Sequence, residues 1–185
     1  MRTLFIGGAR SGKSALAVRW ANERSGNICA LVTATESDPE MAARIAAHRR
    51  ERPAHWRVRE EPVHLGRALR EEAGLVIVDC LTLWLANCLW PPGCEHTDTS
   101  GWARERAQFL DALGAFTGEL IIVSNEVGTG IVPDNLAGRV FRDEHGWLNQ
   151  AVAALCDEVY FVTAGLAMCL KACQTGPGGT TTPPR

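Results

Sequence analysis

The residues most suited to chemistry stand near the start of the chain, in an eight-residue run with the pattern G-x-x-x-x-G-K-S. Its members are Gly7, Gly8, Ala9, Arg10, Ser11, Gly12, Lys13 and Ser14. Glycines at the first and sixth positions let the backbone turn tightly, so that successive N–H groups point inward at a phosphate. Lys13 can reach the terminal phosphates, and the hydroxyl of Ser14 can ligate Mg²⁺. The run therefore predicts a P-loop that binds a nucleoside triphosphate.

Such a loop needs a strand before it and a helix after it, and the sequence supplies both. Residues 4–6, Leu-Phe-Ile, form a short apolar run that is typical of a buried strand. Residues 15–21 are apolar at helical spacing. Because the N-terminus of a helix carries a partial positive charge, this order favours an anion at the loop.

Two carboxylates follow other apolar runs, where the carboxyl ends of strands would gather ligands. Asp79 ends the run 75–79 and is a candidate to hold Mg²⁺, directly or through water. The alternative is that Asp79 caps the helix after it. Glu126 follows the run 120–124 and is a candidate for the acceptor substrate or the metal, the alternative being a solvated loop carboxylate. Asp79 and Glu126 are also the candidates to orient a hydroxyl that accepts a phosphoryl group.

A histidine stands near the end of the helix predicted over residues 39–49. His48 shares a helix face with Met41 and Ile45, and three arginines follow it within four residues. One interpretation is a histidine that is favoured by the helix C-terminus beside a solvated basic run. The other is a nucleophilic imidazole around which the arginines gather phosphate charge. The spacing alone leaves both open.

The elements that must position these residues alternate along the chain. Strands are expected over residues 3–6, 28–33, 75–79, 120–124 and 158–162. Helices are expected over residues 13–24, 39–49, 63–72, 101–117 and 134–157. Several strands are apolar without alternation, as in parallel sheets that are buried on both faces. We therefore expect an α/β fold with a mostly parallel sheet, flanked by helices that form right-handed crossovers.

Length and composition limit the class of protein. The 185 residues suit one nucleotide-binding domain over residues 1–173, with a loop over 90–100 and a disordered tail over 174–185. The net charge of −2 gives no electrostatic case for binding nucleic acid. No apolar run reaches the roughly 18 residues of a membrane span. Since no signal-like region precedes the first strand, we expect a cytoplasmic protein.

Several stretches together resemble one family, the bifunctional adenosylcobinamide kinase / adenosylcobinamide-phosphate guanylyltransferases of cobalamin biosynthesis. Besides the P-loop, the matching stretches are 40–45 with His48, 52–57, 78–87, 125–128, 130–133, 139–143 with Gly146, and 149–150. They run in order over about residues 2–171. The P-loop alone is generic, whereas the later stretches together are specific to this family.

The resemblance implies a RecA-like P-loop fold and two reactions. In the first, ATP or GTP phosphorylates the hydroxyl on the aminopropanol arm of adenosylcobinamide. In the second, GMP passes from GTP to adenosylcobinamide phosphate through a GMP–histidine intermediate. The family's histidine falls on His48, and His55 is the other candidate. A P-loop kinase with a single activity on a small molecule is the alternative, and it would need no covalent histidine.

The resemblance also implies contacts, partners and an assembly. Nucleotide contacts beyond the P-loop would come from Thr33, Ala34, Thr35, Glu51, Arg52, Pro53, Glu60 or Glu61, and Asp79. The metal would be Mg²⁺, held by Ser14 and Asp79, with GTP and ATP as co-substrates. The resemblance also implies a homo-oligomer, because members of the family form them, with a trimer described for its best-known type.

Overall fold

Seven strands form one sheet in this computed structural model, which describes residues 1–24, 26–35, 46, 52–94 and 96–172. The strands are β1 (Arg2–Gly7), β2 (Ile28–Val32), β3 (Arg57–Glu60), β4 (Leu75–Asp79), β5 (Glu119–Asn125), β6 (Glu158–Thr163) and β7 (Leu166–Lys171). The helices of the described residues are α1 (Lys13–Asn22), α2 (Leu65–Arg70), α3 (Leu81–Leu89), α4 (Thr99–Ala115) and α5 (Leu136–Leu155).

The strand order is β3-β2-β4-β5-β1-β6-β7. Every pairing is parallel except that of β6 with β7, which form an antiparallel hairpin. The carboxyl ends of neighbouring strands therefore meet along one edge, where Val32 pairs with Asp79 and Gly7 pairs with Asn125. This arrangement confirms the α/β fold with a mostly parallel sheet and brings the candidate residues to a single edge.

Both faces of the sheet are buried, each against different helices. One apolar cluster joins the sheet to α2, α3, α4 and α5, and the other joins it to α1. Trp84 of α3 lies fully buried in the larger cluster, and its ring centroid is 5.1 Å from that of Trp102 and 4.9 Å from that of Phe109. Tilted contacts of this kind add to the free energy gained from burying aromatic area. The unbroken apolar strands are explained by this two-sided burial.

Most of the predicted elements are present, and the exceptions have physical causes. The five predicted strands lie within one residue of β1, β2, β4, β5 and β6, and four predicted helices lie within two residues of α1, α2, α4 and α5. The edge strand β3 was missed because it is largely charged, and the edge strand β7 because none of its residues is β-branched or aromatic. The helix α3 was missing from the predicted helices because its buried, mostly apolar sequence shows little helical period. The helix predicted over 39–49 and the tail over 174–185 lie outside the described residues, apart from residue 46.

The short helix α2 approaches α4 closely at a glycine. A Cβ atom placed at Gly66 would lie 2.6 Å from the carbonyl carbon of Gln108 and 2.7 Å from the backbone nitrogen of Phe109. Backbone atoms cannot move aside as the end of a flexible side chain can. The packing of α2 on α4 therefore depends on the missing side chain at this position.

A buried histidine lies where α5 packs on the sheet and on α3. His145 is 1% exposed, and its ring nitrogens contact Thr82 and Asn149. Burial lowers the pKa of His145 from 6.5 to about 4, and the carboxylate of Glu126 opposes this shift. The ring is therefore neutral in the folded protein near pH 7.

We expect Gly66→Ala to lower the free energy of unfolding by about 1–3 kcal/mol, because the added methyl group forces α2 away from α4. The matched control is Gly114→Ala in the exposed part of α4, where an added Cβ would meet nothing within 4 Å. That control should be about 0.5–1 kcal/mol more stable than the wild type, since alanine is the better helix former. Urea titrations of both variants measure the difference, and equal stabilities would contradict the close approach.

We also expect His145 to make the folded protein less stable as the pH falls from about 6.5 to about 4. In that window the unfolded chain binds a proton at this histidine and the folded chain does not, so acid favours unfolding. The loss is on the order of 3 kcal/mol by pH 4 and is absent above pH 7. Denaturant titrations at several pH values compare the wild type with His145→Gln. The prediction fails if both proteins lose stability equally across the window.

Candidate active site

The P-loop has the geometry that its sequence predicts. β1 ends at Gly7, and α1 begins at Lys13 directly after Gly12, whose φ of 95° is in the left-handed region. Gly12 has no side chain to cap the helix, so the first N–H groups of α1 point toward the loop for an anion to accept. A Cβ at Gly7 would collide with the carbonyl oxygen of Val162 in β6. The loop therefore requires glycine at position 12 because of the backbone conformation and at position 7 because of the close approach of β6.

Two hydrogen bonds hold the shape of the P-loop, one from the turn between β6 and β7 and one within the loop itself. The N–H of Gly165, in the turn between β6 and β7, donates to the carbonyl oxygen of Ser11 at 2.9 Å. Lys13 is 7% exposed, and its Nζ donates to the carbonyl oxygen of Gly8 at 3.0 Å. The lysine therefore curls back over the loop, which places its charge where phosphates would lie.

The end of β4 lies beside the start of α1, and a small pocket separates them. The pocket is lined by Ser14, Ala17, Val18, Arg52, Trp56, Ile77, Asp79 and Val123. The two predicted metal ligands, Ser14 and Asp79, thus share one space although 65 residues of sequence separate them. The indole N–H of Trp56 in this lining is buried and has no hydrogen-bond acceptor among the described residues.

Asp79 forms an ion pair that the sequence analysis did not foresee. Its Oδ2 lies 2.6 Å from a guanidinium nitrogen of Arg52, and the two side chains are 19% and 9% exposed. The capping alternative for Asp79 is wrong, because the N-cap of α3 is Cys80 and that helix has no side-chain cap. Arg52 therefore lies against the end of β4.

The oxygen atoms of Ser14 and Asp79 fit a magnesium ion that is bound together with phosphates. Mg²⁺ prefers oxygen ligands, keeps several waters and uses only one or two carboxylates from the protein. Among the described residues no group of three or more histidine, cysteine, aspartate or glutamate side chains is placed to hold a metal. Ser14 and Asp79 together offer this pocket one hydroxyl and one carboxylate, which are oxygen donors of the kind that Mg²⁺ takes beside phosphates and water.

The segment after β2 is tied to the end of β4. The N–H of Thr33 donates to the carbonyl oxygen of Asp79 at 2.9 Å, and its Oγ1 bonds both the N–H and the carbonyl oxygen of Cys80, at 2.9 and 2.7 Å. The hydroxyl of Thr33 is thus engaged in holding the backbone at Asp79. Ala34 is half-buried and Thr35 is exposed, so these two residues are the accessible part of the predicted Thr33–Thr35 contact.

The remaining predicted nucleotide contacts lie at the end of β3 and in the turn before it. Glu60 is exposed, whereas Oε1 of Glu61 accepts hydrogen bonds from the N–H groups of Val63 and His64 at 3.2 and 2.8 Å. One carboxylate oxygen of Glu61 is thus engaged by the backbone that follows it, and the nucleotide contact from Glu60 or Glu61 stays a prediction. Arg52 and Pro53 are half-buried and His55 is exposed. Glu51 and His48 lie outside the described residues.

The turn after β5, which we call the Asn125–Glu126 turn, lies next to the P-loop. The N–H of Glu126 donates to the carbonyl oxygen of Gly7 at 3.0 Å. The Glu126 side chain is half-buried, and its Oε1 accepts a hydrogen bond from the N–H of Gly128. Glu126 is therefore held in a local turn at the sheet edge and is not a freely solvated carboxylate.

Sequence reasoning missed the buried polar residues behind this turn. They are Thr82, Ser124, His145 and Asn149, and they form one hydrogen-bonded network. The spacing of His145 and Asn149, four residues apart on a helix, would have placed them on one face. Nothing in the sequence indicated that this face meets Thr82 and Ser124.

No helix within the described ranges is long and apolar enough to cross a membrane.

Two solved structures share the fold at low sequence identity. One is described as a prototypical ATPase from the type III secretion system of pathogenic bacteria, with a TM-score of 0.52 and 13% identity over 91% of this chain. The chain spans 56% of the length of that ATPase. The other comes from Pyrococcus horikoshii OT3, with a TM-score of 0.51 and 10% identity over 94% of this chain and 87% of that chain. Together with the strand order, these similarities confirm the RecA-like P-loop fold.

Closer relatives are found by sequence. The chain is 48% identical over 174 residues to the bifunctional adenosylcobalamin biosynthesis protein CobP of Pseudomonas aeruginosa, which covers 92% of this chain and 98% of that protein. It is 37% identical over 183 residues to the bifunctional adenosylcobalamin biosynthesis protein CobU of Salmonella typhimurium, with 92% and 100% covered. A family model described as cobinamide kinase / cobinamide phosphate guanyltransferase matches residues 3–170. The chain therefore belongs to the cobinamide kinase / cobinamide phosphate guanyltransferase family.

Proposed function

We propose that this chain phosphorylates adenosylcobinamide with ATP or GTP and then transfers GMP from GTP to adenosylcobinamide phosphate. The observation that carries the proposal is the pocket where Ser14, at the start of α1, and Asp79, at the end of β4, meet Arg52. Arg52 follows His48 by only four residues. A residue close in sequence to the candidate nucleophile thus lies at the pocket beside the phosphate-binding loop. The family match over residues 3–170 supports both reactions.

In the guanylyl transfer, His48 is the nucleophile. Its neutral imidazole attacks the α-phosphorus of GTP, a nitrogen–phosphorus bond forms, and the bond to the leaving pyrophosphate breaks. A phosphate oxygen of adenosylcobinamide phosphate then attacks the same phosphorus and displaces the imidazole. Lys13 and the N–H groups of the P-loop hold the leaving phosphates and stabilise their charge. The arginines near His48 in sequence disfavour its imidazolium form.

In the kinase reaction, the same loop presents the γ-phosphate to the hydroxyl of adenosylcobinamide. Asp79 shares its pocket with Ser14, so we assign Asp79 to the metal and nucleotide. Glu126 stands on the neighbouring turn beside Gly7 and is then the candidate to orient the acceptor hydroxyl. Mg²⁺, when bound to Ser14 and Asp79, would neutralise charge on the phosphates.

The wider setting of the enzyme also belongs to the proposal. We expect one domain over residues 1–173, a cytoplasmic location and a homo-oligomer, with a trimer as the form that the resemblance implies. The edge strand β7 supports an assembly, because Leu166, Met168 and Leu170 on it are 73%, 59% and 60% exposed. An apolar edge strand of this kind is normally covered.

We expect His48→Ala to abolish the transfer of label from α-labelled GTP to the protein while nucleotide binding stays measurable, because only the nucleophile is lost. Denaturing gels run at alkaline pH, after incubation with α-labelled or γ-labelled GTP, measure the adduct, and a brief acid treatment of a second sample tests whether its nitrogen–phosphorus bond is acid-labile. His55→Ala is the matched control, since His55 is the other candidate histidine and is exposed. The His55→Ala protein should still become labelled. Retained labelling in His48→Ala would refute the assignment, and a wild-type protein without an acid-labile adduct would favour the single-activity kinase.

We expect Lys13→Ala to reduce both activities by about a hundredfold or more, because one lysine serves the leaving phosphates of both reactions. Steady-state rates with adenosylcobinamide and with adenosylcobinamide phosphate measure the two losses separately. Arg104→Ala is the control for the loss of one cation, because Arg104 is exposed on α4 and lies outside the candidate site. A kinase rate that is unchanged in Lys13→Ala would rule out a shared P-loop.

A further inference from the structure

Side chains from two helices bind the backbone of Asn125 on both sides. The N–H of Asn125 donates to Oγ1 of Thr82, in α3, at 3.0 Å. The carbonyl oxygen of Asn125 accepts from Nδ2 of Asn149, in α5, at 3.0 Å. The last residue of β5 is therefore held by α3 and α5 in addition to its pairing within the sheet.

His145 joins these two side chains to each other. Its Nε2 lies 2.9 Å from Oγ1 of Thr82, and its Nδ1 lies 3.2 Å from Nδ2 of Asn149. Because the amide nitrogen of Asn149 can only donate, Nδ1 accepts and Nε2 carries the proton that is donated to Thr82. Oγ of Ser124 donates to Oδ1 of Asn149 at 2.7 Å and fixes the orientation of that amide.

The network is cut off from water. Ser124, His145, Asn149 and Thr82 are 0%, 1%, 5% and 9% exposed. A buried polar group that loses its partner is costly, because no water replaces the lost bond. The four side chains therefore favour one arrangement, and with it one position for the peptide groups of Asn125.

The backbone that this network holds lies beside the phosphate-binding loop. Asn125 pairs with Gly7 in the sheet, and the N–H of Glu126 donates to the carbonyl oxygen of Gly7 at 3.0 Å. A shift of the Asn125–Glu126 turn would therefore change the distance between Glu126 and the nucleotide phosphates.

We propose that His145 is a positioning residue which, through Thr82 and Asn149, holds the Asn125–Glu126 turn where the acceptor group of the cobinamide substrate meets the nucleotide. This inference rests on the proposed acceptor role of that turn. His145 contacts neither the P-loop nor Asp79 through any hydrogen bond found among the described residues. Its effect is therefore on the acceptor side of the reaction.

The test uses a pair of substitutions at Thr82 in the full-length enzyme. Thr82→Val keeps the shape and removes the hydroxyl that links His145 to Asn125, whereas Thr82→Ser keeps the hydroxyl. We expect Thr82→Val to lower kcat/KM for adenosylcobinamide by about tenfold to a hundredfold, as small misplacements of reacting groups do. The dissociation constant of a fluorescent GTP analogue should change by less than about threefold, because the substitution acts on the acceptor and not on the nucleotide. A general disruption of the site would instead weaken nucleotide binding as well. Thr82→Ser should restore most of the acceptor kinetics, and His145→Gln should share the acceptor defect.

Thr3→Val is the matched control for the loss of a buried hydroxyl. Thr3 is 1% exposed and lies near the other end of β1, where its Oγ1 is 3.5 Å from Glu158. We expect this control to lose stability in thermal denaturation and to keep wild-type acceptor kinetics. The inference is overturned if Thr82→Val and His145→Gln behave like the control, or if their nucleotide affinity falls as much as their acceptor kinetics.

Glu126→Gln separates this inference from the proposed function. If Glu126→Gln is impaired with adenosylcobinamide and Thr82→Val is not, the role of Glu126 stands and the positioning role of His145 is wrong. If Thr82→Val is impaired and Glu126→Gln is not, the turn is positioned as inferred and acts through Asn125 instead of the carboxylate.

Discussion

The central place of β1 in the sheet is the constraint on which the rest of the site depends. β1 pairs in parallel with β5 on one side and with β6 on the other. Its last residue, Gly7, therefore meets Asn125 on one side and the carbonyl oxygen of Val162 on the other. The P-loop starts from a point that is fixed on both sides, so the loop and the Asn125–Glu126 turn keep one relative position. The order of the strands thus determines which groups can act on the same phosphate.

Charge at this edge is arranged around a buried ion pair. Arg52 and Asp79 are both largely shielded from water, so their pairing must offset a substantial cost of desolvation. An unpaired carboxylate at this point would repel the phosphates of a nucleotide. Arg52 neutralises the charge of Asp79, and Lys13 adds a positive charge over the P-loop. This end of the sheet therefore does not repel an anion.

The sequence was sufficient to predict the groups whose place is set by local rules. The P-loop, the strand that ends at Asp79 and the strand before Glu126 all follow from apolar runs and from the chemistry of the next residue. What escaped prediction depends on contacts between distant parts of the chain. The engagement of Thr33 with Cys80, the ion pair of Arg52 with Asp79 and the contact of His145 with Thr82 join residues 27 to 63 positions apart. No periodicity encodes such pairs, because each is decided by how the crossovers stack the helices on the sheet. The edge strands escaped for other reasons, since β3 is largely charged and β7 lacks the β-branched and aromatic residues that are typical of a strand.

The hairpin of β6 and β7 affects the order in which the parts of the nucleotide site form. Its turn supports the P-loop through the bond from Gly165 to Ser11, and β6 packs against Gly7, although about 150 residues separate the two regions. Closing contacts over such a distance is slow relative to forming local ones. During synthesis the phosphate-binding segment leaves the ribosome early and its supporting hairpin leaves late. The P-loop therefore gains its contacts with Gly165 and Val162 only after β6 and β7 have joined the sheet.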